Sequence, residues 1–141
     1  MNNTNGKEQK IILVEDDLFL HELYAETLTN AGYAVVSAKD GEEGLKKIKA
    51  NTDAKLILLD LMLPKINGID VLKEIKKDPN TKNLSVIVLT NLNEQPIIQD
   101  ALKSGANAYL VKVDYTPLEV IDMVRQYIDF RHHLKKQKET F

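Results

Sequence analysis

Short runs rich in apolar residues alternate along the chain with segments in which apolar residues recur every three or four positions. A continuous apolar run predicts a strand that is buried on both faces, as in a parallel sheet covered by helices. The segments between the runs have the spacing of amphipathic helices, and some begin at a capping residue such as Asp40 or Thr116. The apolar runs lie at residues 11–14, 33–37, 56–59, 84–89 and 108–111.

This alternation predicts five strands and five helices, which is typical of an α/β protein with a parallel sheet and helices on both faces. Right-handed crossovers then favour a doubly wound arrangement. The elements use up the chain, so we expect one domain over residues 10–130. A flexible polar arm precedes it at residues 1–9, and a basic helix extension or tail follows at residues 131–141. A length of 141 residues suits a single domain with a real core.

Composition narrows the function classes. The 19 basic and 21 acidic residues nearly balance, which gives no reason to expect binding to nucleic acid or to an anionic membrane. The chain has no cysteine, so disulfides and thiolate chemistry are excluded. This is compatible with a reducing cytoplasm, which is the location that we expect. No apolar run approaches the roughly 20 residues of a membrane span, and the first residues have no signal-peptide core.

Polar residues follow four of the predicted strands. Asp16 and Asp17 follow the first, Asp60 the third, Thr90 the fourth and Lys112 the fifth. The carboxyl ends of parallel strands share one edge of the sheet, so these side chains are expected to meet in one crevice. Carboxylates at such short separations repel one another unless a cation neutralises their charge. Oxygen ligands favour magnesium over zinc as that cation. A central aspartate beside a lysine favours phosphoryl transfer to Asp60.

Each of these residues also has a plainer interpretation. The acids at positions 16 and 17 are typical helix caps, and Thr90 is an ordinary strand residue. Tyr109 is compatible with a half-buried aromatic residue of the last strand. The three histidines, which show no ligand spacing, are interpreted as surface or helix residues: His21, His132 and His133.

At these positions the chain resembles the receiver domains of response regulators in two-component signalling, of the single-domain chemotaxis type. The resemblance covers roughly residues 9–130 and implies a flavodoxin-like sheet with the strand order 2-1-3-4-5. The matching segments are residues 12–17, 60–64, 68, 89–90, 105–109 and 112.

The resemblance implies a role for each site residue. Asp60 takes a phosphoryl group from a sensor histidine kinase or a phosphotransfer protein. Mg²⁺ is bound by Asp17, Asp60 and the backbone carbonyl of Met62, with Asp16 helping through water. Thr90 bonds the phosphoryl group.

The resemblance also implies how phosphorylation of the domain is communicated to a partner protein. Lys112 pairs with the phosphoryl group, and Tyr109 turns inward when Thr90 moves. The responding surface is expected at residues 93–130, where a downstream protein or a second copy of the chain binds. No enzymatic activity is expected.

Two departures from the family pattern stand out. Val113 follows Lys112 where the family usually has proline, and a trans bond is expected because a cis bond to a non-proline residue costs about 2.5 to 4 kcal/mol. Asn91 occupies a position where the family usually has a small residue, and it either crowds the phosphoryl group or donates to it.

Met62 and Leu92 offer no group that positions water, which predicts slow hydrolysis of the acyl phosphate.

Two other functions remain open at this point. The chain is compatible with a receiver-like docking module that is never phosphorylated, although its intact set of acids, threonine and lysine argues against this. A phosphatase with an aspartate nucleophile is the other. Such enzymes usually have a second aspartate two residues after the first, where this chain has Met62.

Overall fold

The computed structural model describes residues 8–140, with side chains through residue 134. Strands and helices alternate as predicted, and the strand ends lie within two residues of the apolar runs. A 3₁₀ turn at Lys112–Asp114 joins the last strand to the last helix. The elements are β1 (Lys10–Val14), α1 (Leu18–Asn30), β2 (Ala34–Ala38), α2 (Gly41–Ala50), β3 (Leu56–Leu59), α3 (Gly68–Lys77), β4 (Val86–Thr90), α4 (Gln95–Lys103), β5 (Ala108–Val111) and α5 (Pro117–Thr140).

All neighbouring strands pair in parallel, in the order β2-β1-β3-β4-β5. This confirms the predicted flavodoxin-like sheet. β3 lies at its centre, and none of its four residues has measurable exposure. A central parallel strand is covered on both faces, which explains why its sequence shows no polar alternation.

Successive residues of the central strands point to opposite faces of the sheet and build two separate cores. On one face Ile57 and Leu59 pack in a cluster that includes residues of α2, α3 and α4. On the other, Leu56 and Leu58 pack in a cluster with α1 and α5. The helices therefore cover both faces, as a doubly wound domain requires.

Side-chain caps fix where the helices begin. Asp17, Asp40 and Asn67 each accept a bond from a backbone N–H in the first turn of α1, α2 and α3. Thr116 and Glu119 exchange bonds before α5, which forms the predicted capping box. These caps set the directions in which the chain leaves the carboxyl edge of the sheet.

The last helix continues well past the core. Through residue 134 its last buried residue is Ile128, and residues 131–134 are exposed, so the predicted boundary at residue 130 lies inside one continuous helix. His132 and His133 lie on this exposed stretch, but His21 is buried in α1. Residues 1–7 of the predicted arm, and residue 141, lie outside the described residues. No helix between residues 8 and 140 is both long and apolar enough to cross a membrane.

Candidate functional site

Asp60 lies directly after the central strand and is almost fully buried, with 4% of its surface exposed. Its backbone N–H donates to the carbonyl of Val14 at 3.1 Å, which ties it to the end of β1. The two carboxylate oxygens have different partners. Oδ1 accepts from the N–H of Met62 at 3.1 Å, and Oδ2 accepts from Nζ of Lys112 at 2.9 Å. The carboxylate is therefore held from both sides.

The loop after β3 turns back onto Asp60 because Gly68 has no side chain. The N–H of Gly68 donates to the carbonyl of Leu61 at 2.9 Å. A Cβ atom at this position would overlap the backbone of Asp60 and Leu61. Glycine thus permits the close approach that presses the start of α3 against the aspartate.

Lys112 bridges two carboxylates. Its Nζ lies 2.6 Å from Oε1 of Glu15 and 2.9 Å from Oδ2 of Asp60, and 9% of its side chain is exposed. Burial alone would lower the pKa of Lys112. The bonds and charges of the two acids outweigh burial and raise this pKa above its ordinary value of 10.5. The ammonium is therefore fully charged at neutral pH.

Glu15 is the residue that the sequence analysis passed over. Burial raises the pKa of its carboxyl group, against the lowering effect of the bonds from Lys112 and from the N–H of Asp17. The latter bond, to Oε2, measures 3.0 Å. Nδ1 of the buried His21 lies 2.9 Å from the backbone carbonyl of Glu15 and supports the same loop.

The position of Asp17 differs from the expectation that it binds the metal. Its side chain accepts from the N–H of Leu20 at 2.9 Å and caps α1. The carboxylate cluster found within residues 8–134 consists of Glu15, Asp16 and Asp60, with one oxygen from each lying within 4.8 Å of the others. Asp17 is not part of that cluster. Because β1 ends at Val14, the first two acids after the strand face Asp60, and the third starts the helix.

The donor set fits a hard divalent cation. Glu15 and Asp60 are buried, whereas Asp16 is exposed and keeps the cluster accessible to solvent. Three carboxylates face one ammonium, which leaves a net negative charge for a cation to neutralise. All the donors are oxygens, as Mg²⁺ prefers. Met62, whose backbone carbonyl is the predicted ligand, lies two residues after Asp60 in the chain. The residue is 57% exposed.

Thr90 and Tyr109 lie on the two neighbouring strands. Thr90 ends β4 and is fully buried, with its Oγ1 3.5 Å from the N–H of Leu92. The hydroxyl of Tyr109 donates to the carbonyl of Leu92 at 2.7 Å, and the half-buried ring packs against the core on the α3 side. Burial raises the pKa of this phenol. Both residues therefore contact the loop that follows β4.

The loop after β5 is also hydrogen-bonded to the loop that follows β4. The N–H of Val113 donates to Oδ1 of Asn91 at 3.1 Å. Residues 8–140 contain no cis peptide bond, so the Lys112–Val113 bond is trans, as expected. The two departures from the family pattern therefore contact each other.

A family model described as the response regulator receiver domain matches residues 11–125. The chain belongs to the response regulator receiver domain family. Chemotaxis protein CheY1 of Helicobacter pylori is 33% identical over 77% of this chain and 87% of its own length.

Solved receiver structures have the same fold. A CheY-like receiver domain from Methanospirillum hungatei superposes with a TM-score of 0.82 at 26% identity, covering 90% of this chain and 98% of that one. CheY in the CheX-CheY-BeF3-Mg²⁺ complex from Borrelia burgdorferi gives 0.79 at 26% identity, covering 89% and 94%. Receiver domains are generally signalling modules rather than enzymes.

Proposed function

We propose that this receiver domain is a stand-alone cytoplasmic response regulator that accepts a phosphoryl group on Asp60. The donor is a phosphohistidine on a sensor histidine kinase or a phosphotransfer protein, and the reaction depends on Mg²⁺. The observation that carries the proposal is the contact between Nζ of Lys112 and the Asp60 carboxylate, 2.9 Å long and beside the acid cluster. A carboxylate nucleophile next to a cation that can neutralise the charge of the transferred group is suited to phosphoryl transfer.

In the reaction, a carboxylate oxygen of Asp60 forms a bond to phosphorus as the phosphorus–nitrogen bond of the phosphohistidine breaks. The electron pair of that bond returns to the imidazole. Negative charge spreads over the three equatorial oxygens of the group in flight. Lys112 moves from the carboxylates to one of these oxygens, and the hydroxyl of the buried Thr90 donates to another.

We assign the metal site to Glu15, Asp16 and Asp60, together with the backbone carbonyl of Met62. The bound Mg²⁺ supplies positive charge that offsets the charge developing on the phosphoryl group. The presence of Mg²⁺ in the Borrelia CheY complex supports this assignment. Glu15 replaces Asp17 in the set because Asp17 is committed to the cap of α1.

The proposed output surface covers residues 93–130, which include α4, β5 and α5. The bond from Tyr109 to the carbonyl of Leu92 connects this surface to the loop after Thr90. Phosphorylation shifts an equilibrium between two arrangements of the surface, and a downstream protein or a second copy of the chain binds one of them. The apolar side chains of Met62 and Leu92 make hydrolysis of the acyl phosphate slow.

The test is incorporation of a phosphoryl group from acetyl phosphate, with Mg²⁺ or with a chelator. We expect stoichiometric incorporation by the wild type only when Mg²⁺ is present, and none by Asp60→Asn. Asp122→Asn removes an exposed carboxylate from α5 and is the matched control, which should react as the wild type does.

Other outcomes identify the competing functions. Absence of incorporation by the wild type would favour a docking module that works without phosphorylation. Continuous release of phosphate from p-nitrophenyl phosphate would favour a phosphatase. Thermal unfolding gives a second readout, because a cation that binds the folded state raises the melting temperature, and Glu15→Gln should weaken that response.

A further inference from the structure

The pairing of β4 with β5 ends just before the site lysine. Thr90 lies opposite Val111 in the last registered pair of this ladder. Lys112 comes next and enters the 3₁₀ turn. The following N–H, that of Val113, donates to the side chain of Asn91 at 3.1 Å. Lys112 is therefore flanked by two residues that are both tied to the end of β4.

Continuation of the ladder would give Val113 a different partner. At the start of β5 the N–H of Asn107 donates to the carbonyl of Val86. In a parallel ladder this pattern repeats in steps of two residues along both strands. The same offset would direct the N–H of Val113 to the carbonyl of Leu92.

That carbonyl has a different donor in the structure, because it accepts from the hydroxyl of Tyr109 at 2.7 Å. The N–H of Val113 donates to the amide oxygen of Asn91 instead, and this side-chain acceptor extends the hydrogen bonding between the two strands by one step. Packing does not hold this part of the loop, since the side chain of Val113 is 77% exposed.

We propose that Asn91 is a positioning residue for phosphoryl transfer. Its amide oxygen fixes the N–H of Val113 and so holds the backbone of Lys112 where Nζ reaches the Asp60 carboxylate. Hydrogen bonds weaken steeply as distance and angle depart from their optimum, so a small shift of this backbone lengthens the contact on which the reaction depends. This role rests on the proposed function.

The test combines two substitutions. Asn91→Leu keeps the approximate size of the side chain and removes the acceptor, while Val113→Pro removes the donor. The readout is the rate constant for phosphorylation by acetyl phosphate at saturating Mg²⁺. We expect Asn91→Leu to slow the reaction about two- to tenfold, the range for loss of one hydrogen bond, and to have no further effect when Val113→Pro is already present.

A spectroscopic readout isolates the bond itself. The backbone amide of Val113 should exchange with solvent faster in Asn91→Leu than in the wild type, and Asn91→Asp, which keeps the acceptor, should restore protection. Asn30→Leu makes the same change at an exposed site at the end of α1 and should leave both readouts unchanged. Cooperative unfolding in urea shows that each variant is folded.

The outcomes separate this role from the proposed function. A phosphorylated wild type with an unaffected Asn91→Leu would overturn the role of Asn91 alone. Equal slowing by Asn91→Leu in both backgrounds would also overturn it, because Asn91 would then act on the phosphoryl group directly. A wild type that takes up no phosphoryl group would overturn the proposed function and this role with it.

Discussion

Two regions at the carboxyl edge of the sheet are built in different ways: Asp60 with its contacts Lys112 and Gly68, here called the centre, and the hydrogen bonds of Asn91 and Leu92 in the loop after β4, here called the rim. Asp60 is buried, and both of its carboxylate oxygens accept a hydrogen bond. Gly68 allows the start of α3 to pack against the backbone of Asp60. Asn91 and Val113, by contrast, are exposed and are joined by a single bond from a side chain to the backbone. One region is fixed by packing, and the other is held by replaceable hydrogen bonds.

The two regions therefore have different roles in the site. A reacting carboxylate needs a constant position, and close packing around a central strand provides it. A surface that reports a chemical change needs two arrangements of similar free energy, and segments with few buried contacts open most easily. Substitutions at the centre should therefore affect chemistry and stability strongly, and substitutions at the rim should have smaller effects.

The largest expected effect is on chemistry at the centre. Lys112→Met removes the charge that faces the phosphoryl group, and the rate constant for phosphorylation by acetyl phosphate should fall about a hundredfold. Lys73→Met removes an exposed lysine from α3 and serves as the control. A phosphorylation rate of Lys112→Met close to that of the wild type would show that this lysine does not act on the phosphoryl group.

Stability at the centre should respond next. Gly68→Ala places a methyl group against the backbone of Asp60 and Leu61. The free energy of unfolding, measured with urea, should fall by about 1–3 kcal/mol because the packed loop must shift. Lys73→Ala, an exposed change in the same helix, is the comparison. Equal stability of Gly68→Ala and the wild type would contradict the close packing inferred for this loop.

The ion pairs at the centre predict a dependence on alkaline pH. The pKa of Lys112 is higher in the folded protein than its ordinary value of 10.5, so the folded state binds this proton more tightly. The resulting stability is fully present below pH 10.5 and is lost as the pH rises through the folded-state pKa. The stability advantage of the wild type over Lys112→Met should therefore shrink above pH 10.5.

The comparison with Lys112→Met cancels the alkaline titrations that do not depend on this lysine. Burial raises the pKa of Tyr33 and Tyr109 in both proteins, whereas the pKa of Tyr24, which burial also raises, is lowered by the charge of Lys112. A stability difference that stays constant across this pH range would mean that the charge of Lys112 contributes nothing to folding.

The smallest expected effect lies at the rim. Tyr109→Phe removes the bond to the carbonyl of Leu92 and keeps the ring in its packing site. The free energy of unfolding should fall by about 0.5–1.5 kcal/mol, the net value of one hydrogen bond, and the phosphorylation rate should change little. A loss of activity as large as that of Lys112→Met would contradict the division between centre and rim.

The sequence was sufficient to predict the elements that burial determines. β3 was recognisable because both of its faces are covered, and the acid that follows it could be placed at the sheet edge for the same reason. The acid pair was harder. Three acids follow Val14 in succession, and only the end of β1 and the direction of α1 decide that Glu15 faces Asp60 while Asp17 becomes a cap.

Contacts between separate loops could not be predicted from the sequence. The bond between Asn91 and Val113 depends on where two strands end relative to each other, which no periodicity specifies. The length of the last helix was also left open, because the highly charged sequence after Ile128 is compatible with either a helix or a tail.

The most direct test of the account is to identify the residue that carries the phosphoryl group after reaction with a phosphodonor and Mg²⁺. Reduction of the acyl phosphate with borohydride, followed by peptide mapping, marks that residue. The account predicts a single modified position, Asp60. A reduced residue at Asp16 or at another acid, or a phosphate ester on a hydroxyl group that survives the reduction, with Asp60 intact, would contradict it.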